Sequence, residues 1–141
     1  MKPEQIQLVK SSFLAASTRR PDFAERFYEH LFAADPSLRT LFKGDIRTQA
    51  AKLGSAIAMV VHSLDRLDEI MEPVRQMAIR HVGYGVEEGH YATVGQALIA
   101  TLRETLGDSF TAETEAAWTT AYVTLSGAMI ASAAEATRDA A

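Results

Sequence analysis

His81 is the residue whose type and setting most readily support chemistry. It stands in the run Val74-Arg75-Gln76-Met77-Ala78-Ile79-Arg80-His81-Val82-Gly83-Tyr84-Gly85, an apolar-faced helical segment that the glycines break just past the imidazole. The side chain therefore projects from the last turn of a helix, one turn after Met77. A neutral imidazole on a rigid backbone, with apolar packing behind it, is what a haem iron needs from one face. A lone histidine near a helix end is more often structural or solvated. The elements around it must decide between these readings.

Those elements read as helical almost throughout, because Ala, Leu, Glu, Arg and Gln dominate and Gly and Pro fall between periodic segments. The spacing predicts a first helix from about Pro3 to Ala16, with Ile6, Val9, Phe13 and Leu14 as its buried stripe and Pro3 in its first turn. Arg19-Arg20-Pro21 opens a second helix carrying Phe23, Phe27, Tyr28, Leu31 and Phe32. Asp35-Pro36 caps a short helix through Leu38, Leu41 and Phe42. Lys43-Gly44-Asp45 is a turn. A long helix follows over roughly Ile46 to Leu64, with Gln49, Leu53, Ile57 (or Ala56) and Val60 at helical spacing. The next spans Asp68 to His81, with Pro73 early in it. After the Gly83/Gly85 corner, Glu87 to Leu106 forms a long amphipathic helix that Gly107-Asp108 stops. Thr111 caps the last helix, which carries Ala117, Trp118, Tyr122, Leu125 and Met129. The end, Thr137 to Ala141, is expected to fray. Residues 1–141 read as a single all-α domain of about six to seven helices. Tight corners and one or two short helices suit a globin-like architecture better than an up-down bundle.

Composition removes several functions. The 141 residues suffice for one buried core, and 48% hydrophobic with 23% charged content is that of a soluble globular protein. A net charge of -4 with no basic run argues against a nucleic-acid partner. The absence of cysteine excludes disulfides, thiolate catalysis, zinc–cysteine and iron–sulfur sites, and covalent haem or bilin attachment. No apolar stretch is long enough to span a membrane, and no secretory signal is visible, so the expected location is the cytoplasm.

At this point the chain resembles a bacterial single-domain haemoglobin, similar to the globin domain of flavohaemoglobins. The residues that carry the likeness are Phe27-Tyr28-Glu29-His30-Leu31-Phe32, Asp35-Pro36-Ser37-Leu38-Arg39-Thr40-Leu41-Phe42, Arg80-His81-Val82-Gly83-Tyr84-Gly85-Val86, His90-Tyr91, Val94-Gly95, Ala117-Trp118 and Ala121-Tyr122. Their order and spacing cover nearly the whole length. The resemblance implies a globin fold around non-covalent haem b, with His81 as proximal iron ligand and Phe42 wedged against the haem. It implies that Tyr28 points its hydroxyl into the distal pocket, with Gln49 as the distal polar residue and Leu53 one turn on. The family keeps that polar residue 32 positions before the proximal histidine, as Gln49 stands before His81. A slip of one turn would put Leu53 in the polar slot instead. Met77, Val86, Tyr91, Val94 and Tyr122 would complete the haem surroundings. Lys52 and Arg80 sit beside the pocket residues, where each is either a haem-propionate partner or a solvated surface charge.

Oxygen on ferrous haem carries partial negative charge, and the Tyr28 O–H and Gln49 N–H are donors suited to stabilise it. Two donors in a dry pocket slow oxygen release. Tyr28 could equally be a core tyrosine satisfied by backbone, and Gln49 a solvated helix residue. Glutamine is a poor iron ligand, so a five-coordinate ferrous iron is expected. At about 100° per residue, His62 faces away from Leu53 and His30 away from Tyr28. His90 precedes a helix as a cap or solvent residue. In the family, a tyrosine at Tyr91 and a glutamate on the last helix hydrogen-bond near the proximal imidazole and favour O–O chemistry. Here Ala133 occupies the expected glutamate position, fifteen residues after Trp118, and Glu135 lies about 200° around the helix.

Three functions follow from this. One is reversible binding of oxygen, CO and NO. A second is nitric oxide dioxygenation, which would need a separate reductase because these residues contain no dinucleotide loop. The third is a haem-free helical interaction domain. Glu87-Glu88-Gly89-His90 contains a single Glu-x-x-His, and a di-iron bundle needs two. The chain is expected to be a monomer or a weak homodimer, with Ala128, Ala131, Ala133 and Ala134 as a possible partner face.

Overall fold

The computed structural model describes residues 1–42 and 44–140, the last two by backbone alone. Six α-helices and three short 3-10 segments make up the described residues, with no strand among them. The α-helices are α1 (Pro3–Arg19), α2 (Phe23–Ala34), α3 (Ile46–His62), α4 (Met71–Gly83), α5 (Glu88–Leu106) and α6 (Ala112–Ala140). The 3-10 segments are Pro36–Leu41, Leu67–Ile70 and Gly107–Ser109.

Local chemistry sets most of the boundaries. Pro21 disfavours helical backbone at Arg20, which is extended at φ -133° and ψ 94°. The second helix therefore starts at Phe23, later than the Arg19-Arg20-Pro21 opening expected. α1 runs past Ala16 to Arg19, with the Ser17 and Thr18 hydroxyls donating to the Phe13 and Leu14 carbonyls one turn back. Asp35 caps the short helix by accepting from the Ser37 N–H at 3.1 Å, and Asp45 caps α3 by accepting from the Arg47 N–H at 3.2 Å. Of the expected turn, Lys43 lies outside the described residues; Gly44 takes φ +101°. The Thr111 hydroxyl accepts from the Thr114 N–H, as a cap should. α6 stays helical through Ala140, so the break expected from Thr137 is not seen; Ala141 lies outside the described residues.

The core lies where α1, α2, α5 and α6 cross. Val9, Ala16, Leu31, Leu102 and Ala117 are almost wholly buried there. Leu14, expected in the buried stripe, is instead 69% exposed. It follows Phe13 by about 100° on the helix, which carries it off the face that Val9 and Ala16 bury. Trp118 ties α6 to α1 by donating its indole N–H to the Ser12 hydroxyl at 2.8 Å. A smaller apolar cluster of Val74, Ala78 and Met129 joins α4 to α6. No helix among the described residues is long and apolar enough to cross a membrane.

Candidate functional site

One wall of the site is aromatic and comes from α2 and the corner after it. Tyr28 is buried on the inward face of α2 beside Phe27 and Leu31. Its ring stacks on Phe32 at 5.8 Å and meets Phe42 edge-on at 5.1 Å. Phe42 ends the 3-10 helix that Asp35 caps, and Phe32 also carries the Arg39 guanidinium over its face at 5.3 Å. Among the described residues, the Tyr28 hydroxyl donates only to the Gln49 carbonyl, at 3.5 Å, the outer limit of a hydrogen bond. Burial pushes its phenol up to about 12, so the O–H proton stays on near neutral pH. The result is a buried donor with weak commitments.

Gln49 lies in the first turn of α3, held by the Asp45 cap, and its backbone carbonyl accepts from the Tyr28 hydroxyl. Leu53, one turn on, is half-buried against the main core. The Gln49 backbone thus meets Tyr28, and Leu53 packs against the same core that holds Tyr28.

α4 carries the candidate metal-ligating group. His81 is half-buried near the end of α4, and its Nδ1 lies 2.7 Å from the Met77 carbonyl oxygen. A carbonyl can only accept, so Nδ1 carries the proton and Nε2 keeps its lone pair. Burial lowers the imidazole's pKa, against the raising effect of the Met77 hydrogen bond and with help from Arg80. The ring is therefore neutral and ready to ligate. The corner beyond it folds back: the Val86 N–H donates to the His81 carbonyl at 3.0 Å. Gly85 makes that reversal at φ +90°, where a side chain would be strained, and a Cβ there would lie 3.4 Å from Leu41 of the 3-10 helix. The corner after α4 thus closes on the corner that presents Phe42.

α3 rests on α1 and α2, α4 rests on α6, and no comparable packing joins α3 to α4. Between them lies a cleft of about 340 Å3, lined by Ala56 and Met59 from one side and by Met77 and Arg80 from the other. Arg80 and Lys52 are exposed, and neither has a carboxylate within ion-pair distance among the described residues. No group of three metal-binding side chains exists among the described residues. A metal on His81 would have to arrive with its other ligands already attached. The cleft lining reaches Met77, one turn before His81, and not His81 itself. A flat apolar macrocycle with acidic substituents suits the chemistry of these residues: apolar side chains between two helices, an imidazole lone pair on one of them, and the Arg80 cation at the cleft.

α5 and α6 lie on the His81 side. Tyr91 packs with Met77 against the Val74–Ala78–Met129 cluster, and Val94 is half-buried on the main core. The Tyr122 hydroxyl donates to the Tyr91 carbonyl at 2.6 Å, and burial raises its pKa. Tyr122 therefore braces α5 against α6. A Cβ on Gly95 would come within 2.8 Å of the Tyr122 ring, which is why glycine stands there. Ala133 is half-buried and Glu135 exposed, so the imidazole's partner is the Met77 carbonyl and not a carboxylate.

The other histidines are engaged elsewhere. His30 Nε2 lies 2.8 Å from Glu104, His62 is exposed, and His90 Nδ1 accepts the Glu87 N–H at 2.9 Å as a helix cap. Sequence reasoning missed Met59 as a cleft residue and Leu41 as the contact of Gly85. Both carried only a generic apolar signal. Gly95 did stand among the motif residues, without a reason until the Tyr122 ring supplied one.

The chain is 32% identical over 130 residues to a flavohemoprotein of Vibrio cholerae, covering 90% of this chain and 33% of that protein. The chain thus spans about a third of the length of the flavohemoproteins it matches. Its fold superposes at a TM-score of 0.87 on an engineered carbene transferase whose parent is named a nitric oxide dioxygenase of Rhodothermus marinus, at 27% identity and covering 98% and 96% of the two chains. A bacterial globin from Campylobacter jejuni superposes at 0.85, with 26% identity over 97% and 99% of the chains. The family model described as Globin matches residues 25–129. With that match over most of its length, the chain belongs to the globin family.

Proposed function

We propose that this chain binds haem b non-covalently on His81 and uses it to bind oxygen, CO and NO reversibly. The observation that carries the reading is the imidazole: Nδ1 is held by the Met77 carbonyl at 2.7 Å, which leaves the Nε2 lone pair for the iron. When bound, haem would supply a ferrous iron able to take a diatomic gas. Phe42, Leu53, Met77, Val86 and Val94 would wall the ring and exclude water, and Lys52 and Arg80 would neutralise its propionates. With no cysteine in the chain, attachment is non-covalent. The Tyr28 O–H, held only at 3.5 Å, and the Gln49 amide would donate to a polar bound gas. Gln49 is a poor metal ligand, so it would leave an iron held by His81 free to take a gas. Tyr91 would pack beneath the imidazole, and Tyr122 would hold Tyr91 in place.

A second reading is nitric oxide dioxygenase activity with a separate reductase. It is supported by the likeness to the Rhodothermus marinus scaffold and to the flavohemoproteins. The neutral carbonyl on His81 Nδ1 gives a weaker electronic push than a carboxylate would, and this favours gas binding as the main role. The proposed setting is the cytoplasm.

The test is the visible spectrum of protein expressed with haem, reduced and exposed to oxygen and then CO. A five-coordinate ferrous band converting to stable oxy and CO forms is the expected result. A colourless protein that refuses added haem would return the chain to a haem-free helical interaction domain. Nitrate production from NO, with an added reductase, separates the first two readings.

A further inference from the structure

Tyr84 stands beside the candidate iron ligand, yet gas binding gives it no task. It caps the end of α4, where its N–H donates to the Arg80 and His81 carbonyls, each at 3.1 Å. Its ring centroid lies 6.2 Å from that of the His81 imidazole, within the range of aromatic contact. Tyr84 is nevertheless 61% exposed. It therefore touches both the imidazole and the solvent.

The other readily oxidised rings are closed off. A tyrosine gives up one electron at a time, and its phenol releases the proton as the electron leaves. Burial raises the pKa of Tyr28, Tyr91 and Tyr122, so their protons have no ready exit. Trp118 is buried in the main core, with its indole N–H on the Ser12 hydroxyl. Tyr84 is the tyrosine that can hand its proton straight to water.

We propose that Tyr84 passes electrons from the solvent to a haem held on His81, so that the chain oxidises phenolic compounds at its surface with hydrogen peroxide as oxidant. This rests on the haem reading above. Hydrogen peroxide takes up two electrons and two protons; its O–O bond breaks and two waters form. Tyr84 supplies the electrons in two successive steps, losing its phenolic proton to water each time. After each step a phenol returns a hydrogen atom to the Tyr84 oxygen and leaves as a phenoxyl radical. One peroxide thus consumes two phenols, and neither phenol has to pass between α3 and α4.

The experiment treats the haem-loaded full chain with stoichiometric hydrogen peroxide and a nitroso spin trap, then maps the adduct by peptide mass spectrometry. The wild type should carry the adduct on Tyr84. Tyr84→Phe should lose it, together with most of the peroxide-dependent oxidation of guaiacol, while Tyr84→Trp should keep both. Tyr84 is exposed, so both variants should fold, and their CO-bound spectra check that haem is still held. An adduct on Tyr28, Tyr91 or Tyr122 in place of Tyr84 overturns the proposal. So does undiminished guaiacol oxidation in Tyr84→Phe, or an equal adduct on Tyr84 in haem-free protein. A chain that takes up no haem sinks both this proposal and the gas-binding reading, and its spectrum shows that at once; a haem-loaded chain that binds CO but leaves Tyr84 unlabelled sinks this proposal alone.

Discussion

Two halves of this molecule are built to different standards. Where α1, α2, α5 and α6 cross, side chains such as Val9, Leu31 and Leu102 are almost wholly buried, and the Trp118 indole is paired to the Ser12 hydroxyl. On the α3–α4 side the helices barely meet. The Tyr28 hydroxyl makes only a 3.5 Å contact, His81 keeps one nitrogen uncommitted, and Arg80 and Lys52 lack counter-ions among the described residues. The first half gains stability from close packing. The second spends less on internal packing and leaves ligating and donating groups for something else to satisfy.

That contrast can be broken from either side. The largest expected effect is on the open side: His81→Ala should abolish stable haem binding, or make it depend on added imidazole, while the helical circular dichroism persists. An unchanged ferrous spectrum in that variant would rule out the ligand. On the packed side, Leu102→Ala should lower unfolding stability by about 2–5 kcal/mol, because it opens a cavity in a fully buried site. Chemical denaturation measures this; a loss under about 1 kcal/mol would mean the crossing is not close-packed. Next in size, Tyr28→Phe or Gln49→Leu should speed oxygen release about ten-fold, through loss of one hydrogen bond to a polar ligand. Stopped-flow displacement by CO reads the rate, and an unchanged rate in both variants would remove them from the pocket.

The smallest effect is at the surface between α2 and α5. The Arg26 guanidinium, and then His30, hold the Glu104 carboxyl well below its ordinary range, at about 2. A depressed carboxylate stabilises the fold at pH above its ordinary value of 4.5, and that contribution fades as pH falls from there through about 2. Glu104→Gln should therefore flatten this part of the acid-denaturation profile slightly and leave neutral stability little changed, since exposed pairs contribute little. A variant as acid-sensitive as the wild type would place the titration elsewhere.

Much of the fold could be read from residue order. Pro21, Asp35-Pro36, Asp45, Gly85 and Gly107 act through local backbone physics, so the helix sequence followed from them to within a few residues. Errors arose where tertiary context decides. Leu14 is apolar and sits next to the buried stripe, yet the core offers no surface at its angle. The end of α1 moved to Arg19, since back-bonded Ser17 and Thr18 let the helix continue to the Pro21 stop.

For the site, the sequence by itself determined the inventory: one histidine at a helix end before a glycine corner, a tyrosine on the facing helix, a glutamine 32 positions before that histidine, and no cysteine. It also determined the absence of a carboxylate at position 133. Only the tertiary structure decided that the Tyr28 hydroxyl meets the Gln49 carbonyl, and that the imidazole proton lies on Nδ1. It alone turned Tyr122 to the Tyr91 carbonyl. Residue type and helical period fix which side chains exist and at what angle they leave their own helix. Hydrogen-bond partners and contacts between helices depend on how those helices cross, and that is set by packing among residues far apart in the chain.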